Sequence, residues 1–269
     1  MKKKLLFKII LFFLISHNQL ICKDFIILQS TTSARDSGLY DVILPNFFKK
    51  TQIDVRVVAV GTGQAIKNAE RCDADVLIAH HKESEEKFLE EGYGVWRKEF
   101  MYNDFVLIGP DFDPGKVRGS HSIINALKSI SNNEINFISR GDDSGTHKKE
   151  ALLWSSSGIK PDPRKDKWYL SVGQGMGGAI NIAVNKEAYI LSDRSTWLSF
   201  KNKKNHVILV ENEPLLYNYY GVIPISPRKC PDVKFEKANI FIDWLISPET
   251  MQLISSYKLK NQQLFFPIN

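Results

Sequence analysis

The sequence is poor in several things, and each scarcity excludes something. Its 269 residues include only three cysteines, Cys22, Cys72 and Cys230. Once an export segment is removed, too few remain for a zinc site built of cysteines. No run after residue 22 approaches the ~18 consecutive apolar residues of a spanning helix, which excludes a polytopic membrane protein. There is no internal repeat, no low-complexity linker and no basic stripe with interleaved aromatics, so nucleic acid is not an expected partner. Excess charge is also scarce. The formal net charge of +6 includes Lys2, Lys3, Lys4 and Lys8, and residues 1–22 hold no acidic residue; without them +2 remains. A charge that small favours no particular partner. With 43% hydrophobic and 25% charged residues, the composition is that of an ordinary globular protein. The length suits one large domain or two modest ones.

What is present begins with an export signal over residues 1–22. Lys2-Lys3-Lys4 is a charged n-region, Leu5 to Ile15 an apolar stretch broken only by Lys8, and Ser16 to Gln19 a polar patch before Leu20-Ile21-Cys22. This is the layout of a secretory signal peptide, and the apolar run is short for a membrane anchor. Cleavage after Cys22 is the simpler reading. Lipid modification of Cys22 is the alternative, and Ile21 is larger than the residue expected before such a cysteine. Cys72 and Cys230 are left, either as a disulfide or as two thiols.

Beyond residue 23, short apolar strands alternate with amphipathic helical segments, the pattern of an α/β fold. Strands are expected at Phe25–Leu28, Ile53–Val60, Ala74–Ala79, Phe105–Ile108, Asn136–Ile138, Ala188–Leu191 and Val207–Val210. Helices are expected through Leu39 to Phe48, Gln64 to Glu70, Ser84 to Glu91, His147 to Ser155 and Ala179 to Lys186, and over Lys237 to Tyr257 with a break at Pro248.

Three of the strand-to-helix turns share one chemistry: Ser30-Thr31-Thr32-Ser33, Gly61-Thr62-Gly63-Gln64 and Asp143-Ser144-Gly145-Thr146. A helix N-terminus carries unpaired N–H groups and the positive end of the dipole, so it attracts anions. Glycine lets the backbone approach a ligand closely, and hydroxyls add neutral donors. Each turn taken alone is explained as well by ordinary capping. Three together, with Arg140 adding a fixed charge and several donors, point to an oxyanion site. Arg140 could instead form a salt bridge with Asp142 or Asp143.

Other patterns compete. Gly173-Gln174-Gly175-Met176-Gly177-Gly178 satisfies G-x-G-x-x-G, and Asp193 follows Gly173 by twenty residues, as a dinucleotide fingerprint requires. The expected helix is short for that fold, and an exported chain meets little nicotinamide cofactor. The same turn can serve as one more set of anion-facing amides, which adds Gln174, Gly175 and Asp193 as candidates. Ser144 and His147 form no triad. His80 and His81, adjacent at a strand end, point opposite ways and read as structural or hydrogen-bonding residues rather than metal ligands. No cofactor or metal is expected.

The residues resemble the tungstate-binding periplasmic proteins of tungstate ABC importers. The resemblance runs in order over nearly all of the mature chain. It includes Ser30 to Ser33 with Asp36-Ser37-Gly38-Leu39, then Val58 to Ala65, Asp73 to Leu77 with His80, Glu91 to Gly94 and Met101 to Phe105. Ser139-Arg140-Gly141-Asp142-Asp143-Ser144-Gly145-Thr146-His147-Lys148-Lys149-Glu150 is its most specific stretch, and Gly173 to Gly177 and Leu191 to Arg194 complete it. Departures are Ser30 and Ala34-Arg35 near the first turn, Cys72, and Ser195 where glycine is usual.

The resemblance implies a two-lobed, hinged periplasmic-binding-protein fold of type II. Residues 24–103 and 216–269 would form one lobe and 104–215 the other. The ligand would be tungstate, with molybdate or phosphate as rivals, held in a cleft between the lobes. Ser30, Thr31, Thr32, Ser33, Gly61, Thr62 and Gly63 would line one side, and Arg140, Ser144, Gly145 and Thr146 the other. Arg140 would be the key anion contact, with Thr31 and Thr146 also ligands. A monomer that serves membrane permease subunits, and catalyses nothing, is the expectation.

Overall fold

The computed structural model describes residues 24–268; the export segment over residues 1–22 lies outside them. Every parallel strand of the molecule is bounded by a turn that opens a helix, as the alternation of the sequence requires. The chain runs β1 (Phe25–Thr31), α1 (Thr32–Asp36), α2 (Leu39–Thr51), β2 (Asp54–Val60), α3 (Thr62–Glu70), β3 (Val76–Ala79) and α4 (Lys82–Glu90). It continues with β4 (Lys98–Pro110), α5 (Ile123–Asn132), β5 (Phe137–Ser139), α6 (Gly145–Ser156), β6 (Tyr169–Ser171), α7 (Met176–Asn185), β7 (Tyr189–Asp193), α8 (Arg194–Ser199) and β8 (His206–Val210). It returns through β9 (Tyr217–Pro224), α9 (Phe235–Leu245), α10 (Pro248–Ser256) and the short strands β10 (Lys258–Leu259), β11 (Gln262–Gln263) and β12 (Phe266–Pro267).

One mixed sheet has the order β2-β1-β3-β9-β4-β7-β5-β6, with β8 and β12 also paired to β4. The seam is β4. Its residues Lys98 to Asp104 pair antiparallel with β9, and Phe105 to Pro110 pair with β7 and β8. The sheet therefore has two halves sharing a single strand.

Each half buries both faces, which explains the continuous apolar runs in its central strands. In β3, Val76 and Ile78 face a core with Phe47, Phe241 and Leu245, while Leu77 and Ala79 face a second core with Ala65, Ala69 and Phe88. In β4, Leu107 joins Phe137, Trp154 and Tyr189, while Val106 and Ile108 join Ile138, Ile180 and Trp197. This is the period-two alternation of a strand applied to two hydrophobic faces at once.

Four elements differ from those the sequence predicts. The apolar run Phe105–Ile108 is only the second half of the 13-residue β4. Neither β9 nor α5 nor α8 was anticipated. The first part of β4 and the start of β9 carry Asn103 and Asn218, polar residues that break an apolar pattern. They are buried, and pair with each other across the seam: Asn218 Nδ2 donates to Asn103 Oδ1 at 2.8 Å. The polar atoms are satisfied internally, so burial is tolerated.

Cys72 and Cys230 form a disulfide, which settles the alternative the sequence left open. It ties the loop after α3 to the segment before α9, across a sequence separation of 158 residues.

Candidate functional site

Five helix N-termini meet at one place. Helix α1 follows β1, α3 follows β2, α6 follows β5, α7 follows β6 and α8 follows β7, so each begins beyond the carboxyl end of a strand. That is where open α/β sheets bind ligands. The helix-capping residues Thr31, Gly61, Ser144, Gly175 and Asp193 all line a single cleft of about 810 Å³.

Most of the residues expected from sequence are brought together there. Thr31, Thr32, Ser33, Gly61, Thr62 and Gly63 come from the first half of the sheet. Arg140, Ser144, Gly145, Thr146, Gly175 and Asp193 come from the second. Two do not line it. Ser30 is fully buried, with its hydroxyl 2.6 Å from the Tyr40 hydroxyl inside the core. Gln174 is exposed beside the cleft lining, and its backbone N–H donates to the Arg140 carbonyl at 3.2 Å. Both are placed to hold the turns in shape.

Capping explains only part of the pattern. At α6, Ser144 Oγ accepts from the His147 N–H at 3.3 Å, and at α8 an Asp193 oxygen accepts from the Thr196 N–H at 2.8 Å. At α1, α3 and α7 the capping residue makes no side-chain hydrogen bond. The first amides of these three helices keep their donor capacity and their dipole charge for something else.

Arg140 stands directly after β5. It forms an ion pair with Asp142, and its Nε is buried without a hydrogen-bond partner. The other Asp142 oxygen accepts from the Ser144 N–H at 3.2 Å. Burial alone would raise the Asp142 carboxyl, but the hydrogen bonds at Ser144 and the Arg140 charge outweigh it and hold the group below the usual carboxylate range. Asp143, by contrast, points outward with its side chain 86% exposed. The second arginine nearby, Arg194, is taken: its Nε and Nη2 donate to Asp104 at 2.8 and 2.5 Å, and its Nη1 lies 2.7 Å from Glu211.

Asp193 is largely committed to the start of α8. Its carboxylate takes hydrogen bonds from Ser195 Oγ at 2.6 Å, from the Thr196 N–H and from Thr196 Oγ1 at 2.7 Å. This removes the ribose-binding carboxylate that a dinucleotide fingerprint needs, and the preceding β6 has only three residues. The Gly173–Gly178 turn serves the cleft as the start of α7 instead. Ser195, at a position where glycine was expected, supplies one of the three donors.

Several cleft residues were missed as such. Lys148 projects from α6 across the cleft, with its Nζ 4.0 Å from where a Cβ on Gly63 would lie. His80, at the end of β3, is within 3.4 Å of Ser33 Oγ and 3.5 Å of Thr62 Oγ1, and its ring packs on Tyr220 at 5.0 Å. Burial pushes its imidazole down to about 4, so it is neutral at pH 7. Its ring explains Gly145, because a Cβ there would lie 2.3 Å from His80 Cε1. The two halves of the molecule touch at this point only because residue 145 has no side chain. The signal in sequence was the strand ending at His80, whose position facing the glycine comes from the fold. Among the described residues no group of three histidine, cysteine or acidic side chains could hold a metal ion.

A PBP superfamily domain matches residues 22–249. The tungstate-binding protein TupA of Peptoclostridium acidaminophilum is 47% identical over 237 residues, covering 87% of this chain and 82% of that protein. Among solved structures, the tungstate-binding protein TupA from Desulfovibrio alaskensis G20 superposes with a TM-score of 0.84 at 41% identity, over 91% of this chain and 99% of that one. The tungstate ABC transporter structure from Geobacter sulfurreducens superposes with a TM-score of 0.78 at 45% identity, over 87% and 98% of the two chains. With its helix N-termini gathered on a cleft between two half-sheets, the chain belongs to the PBP superfamily, among the TupA-like binding proteins.

Proposed function

We propose that this chain is the solute-binding protein of an ABC importer and that its cargo is tungstate. Residues 24–103 with 216–269 form one lobe and residues 104–215 the other, hinged where β4 and β9 run between them. The protein is exported, works as a periplasmic monomer, and presents the closed form to the permease subunits in the membrane.

The observation that carries this reading is the convergence of three helix N-termini without side-chain caps on a cleft holding Arg140. Tungstate at neutral pH is an unprotonated tetrahedral dianion, so its ideal site offers donors alone. Backbone amides, the hydroxyls of Thr31, Thr32, Ser33, Thr62 and Thr146, and one guanidinium are such a set. Phosphate carries a proton at pH 7 for part of the time and is served by an open acceptor. The inward carboxylate Asp193 already accepts from Ser195 and Thr196, which favours the dianion. Molybdate, with the same charge and nearly the same size, is the nearest competitor. Closure excludes water and strengthens each charge-assisted bond.

Isothermal titration of the mature protein with tungstate, molybdate, sulfate and phosphate in separate runs tests this. One-to-one binding of tungstate far tighter than sulfate or phosphate is the expected result. Preference for phosphate would keep the cleft and reassign the cargo, and no binding of any of the four would overturn the reading.

A further inference from the structure

Resting on the oxyanion-receptor reading, we propose that the Asp142 carboxylate is a built-in competitor for the site, an internal anion that the cargo must displace. Its two oxygens already hold two of the donors an oxyanion would use on this wall: the Arg140 guanidinium and the Ser144 amide at the start of α6. The pair is partly shielded from solvent. The side chains of Arg140 and Asp142 are 16% and 21% exposed, and both line the cleft.

Asp142 sits in a tight turn. Gly141 and Asp143 on either side have φ of +58° and +56°. A side chain at Gly141 is excluded by space, since a Cβ there would lie 1.9 Å from Ser171 Oγ. Rotation of the Asp142 side chain between staggered rotamers is the smallest motion that would release Arg140.

A threshold follows. A small or planar monovalent anion at Arg140 gains little more than Asp142 already supplies, because it exchanges one carboxylate-like contact for another. A tetrahedral dianion gains more. Its further oxygens reach the uncapped amides of α3 and α7 and the hydroxyls of Thr31 to Ser33, which Asp142 does not touch. Internal competition of this kind lowers affinity for every anion and leaves only those that engage the whole cleft above the background of abundant monovalent ions.

The test is titration of the Asp142→Asn variant, which keeps the size and an acceptor for Ser144 and removes the charge. Tungstate should bind roughly three- to tenfold tighter, the scale of a part-buried ion pair relieved. Nitrate, used as a monovalent planar probe, should begin to compete with tungstate in the variant and not in the wild type. Unchanged or weaker tungstate binding by a variant with a wild-type melting temperature would overturn the proposal. A crystal structure of the wild-type protein with tungstate gives a check that needs no variant. Asp142 should be turned off Arg140, and an Arg140–Asp142 pair persisting beside the bound anion would overturn the idea. If the wild-type protein binds none of the four oxyanions, the receptor reading itself fails and this inference falls with it. Tight wild-type binding with no gain in the variant removes this inference alone.

Discussion

The two walls of the cleft solve the same problem differently. The wall from the first half of the sheet, Thr31 to Ser33 and Gly61 to Gly63, has uncapped helix starts and hydroxyls, with no cation in either turn. The wall from the second half, around Arg140, has the charge, and with it a set of internal partners: Asp142 on Arg140, Ser144 capping α6, Asp193 capping α8. Donors left open cost little when they are backbone amides at a wet cleft. A guanidinium held inside a protein needs an anion beside it. The difference teaches that charge in a binding site comes with its own counter-charge, while dipoles need none.

The comparison can be broken most severely at Arg140. Arg140→Ala removes the one positive charge of its turn and should weaken tungstate binding about a hundredfold or more, as for loss of a buried charge-assisted contact. Arg140→Lys should recover part of the loss, and titration measures both. If the alanine variant binds as tightly as the wild type, the two walls are equivalent and the comparison fails.

The charged wall also rests on a buried acid. Glu150 on α6 is 3% exposed and accepts from the Tyr169 hydroxyl at 2.7 Å. Burial pushes its carboxyl up to about 7 against that hydrogen bond. A raised carboxyl means the folded state holds its proton more tightly than the unfolded chain does. The stability this gives is complete below the ordinary carboxylate range and is lost as the pH rises to about 7, a change of about 3 kcal/mol at most. Melting temperature should therefore fall between pH 5 and pH 8 more steeply in the wild type than in Glu150→Gln. Parallel curves would show that the acid is not what the second wall stands on.

A smaller effect sharpens the line between the walls. Gly145→Ala drives a Cβ against the His80 ring, so it should hinder closure and cost about tenfold in affinity. Adding His80→Ala to that variant should return most of the loss. The smallest effect belongs to the first wall. Thr62→Val removes one neutral hydroxyl and leaves the amides of α3 in place, so about a fivefold loss is expected. A loss as large as that of Arg140→Ala would mean that hydroxyls, not amides, do the binding on this side.

Much of this was legible in the residues. The Ser/Thr/Gly turns each follow a strand and open a helix, and local chemistry alone locates such turns. Their convergence was harder to see. Arg140 and Thr62 are brought to one cleft by sheet order, which places β9 between β3 and β4. Strand β9 itself was hidden because Asn218 and three tyrosines at its start do not form an apolar run. His80 and Lys148 were visible as residues but not as partners of Gly145 and Gly63, since nothing local says which glycine a side chain from the other half will meet. Ser30 shows the opposite error. Its hydroxyl matched the turn's chemistry, yet strand alternation turns it toward Tyr40 and away from the cleft.

The place of β9 has a consequence for how the molecule comes into being. The half-sheet that the chain begins is the one it finishes last. Strands β1, β2 and β3 are laid down early, but β9, which joins them to β4, and α9, which covers them, arrive more than 130 residues later. The intervening segment can pack β5, β6, β7 and most of its own core from sequence neighbours. The first half cannot, and its disulfide partner Cys230 arrives as late as the strand does. Contacts this distant along the chain form slowly. During synthesis the opening segment is thus held without its closing strand until most of the chain has been made.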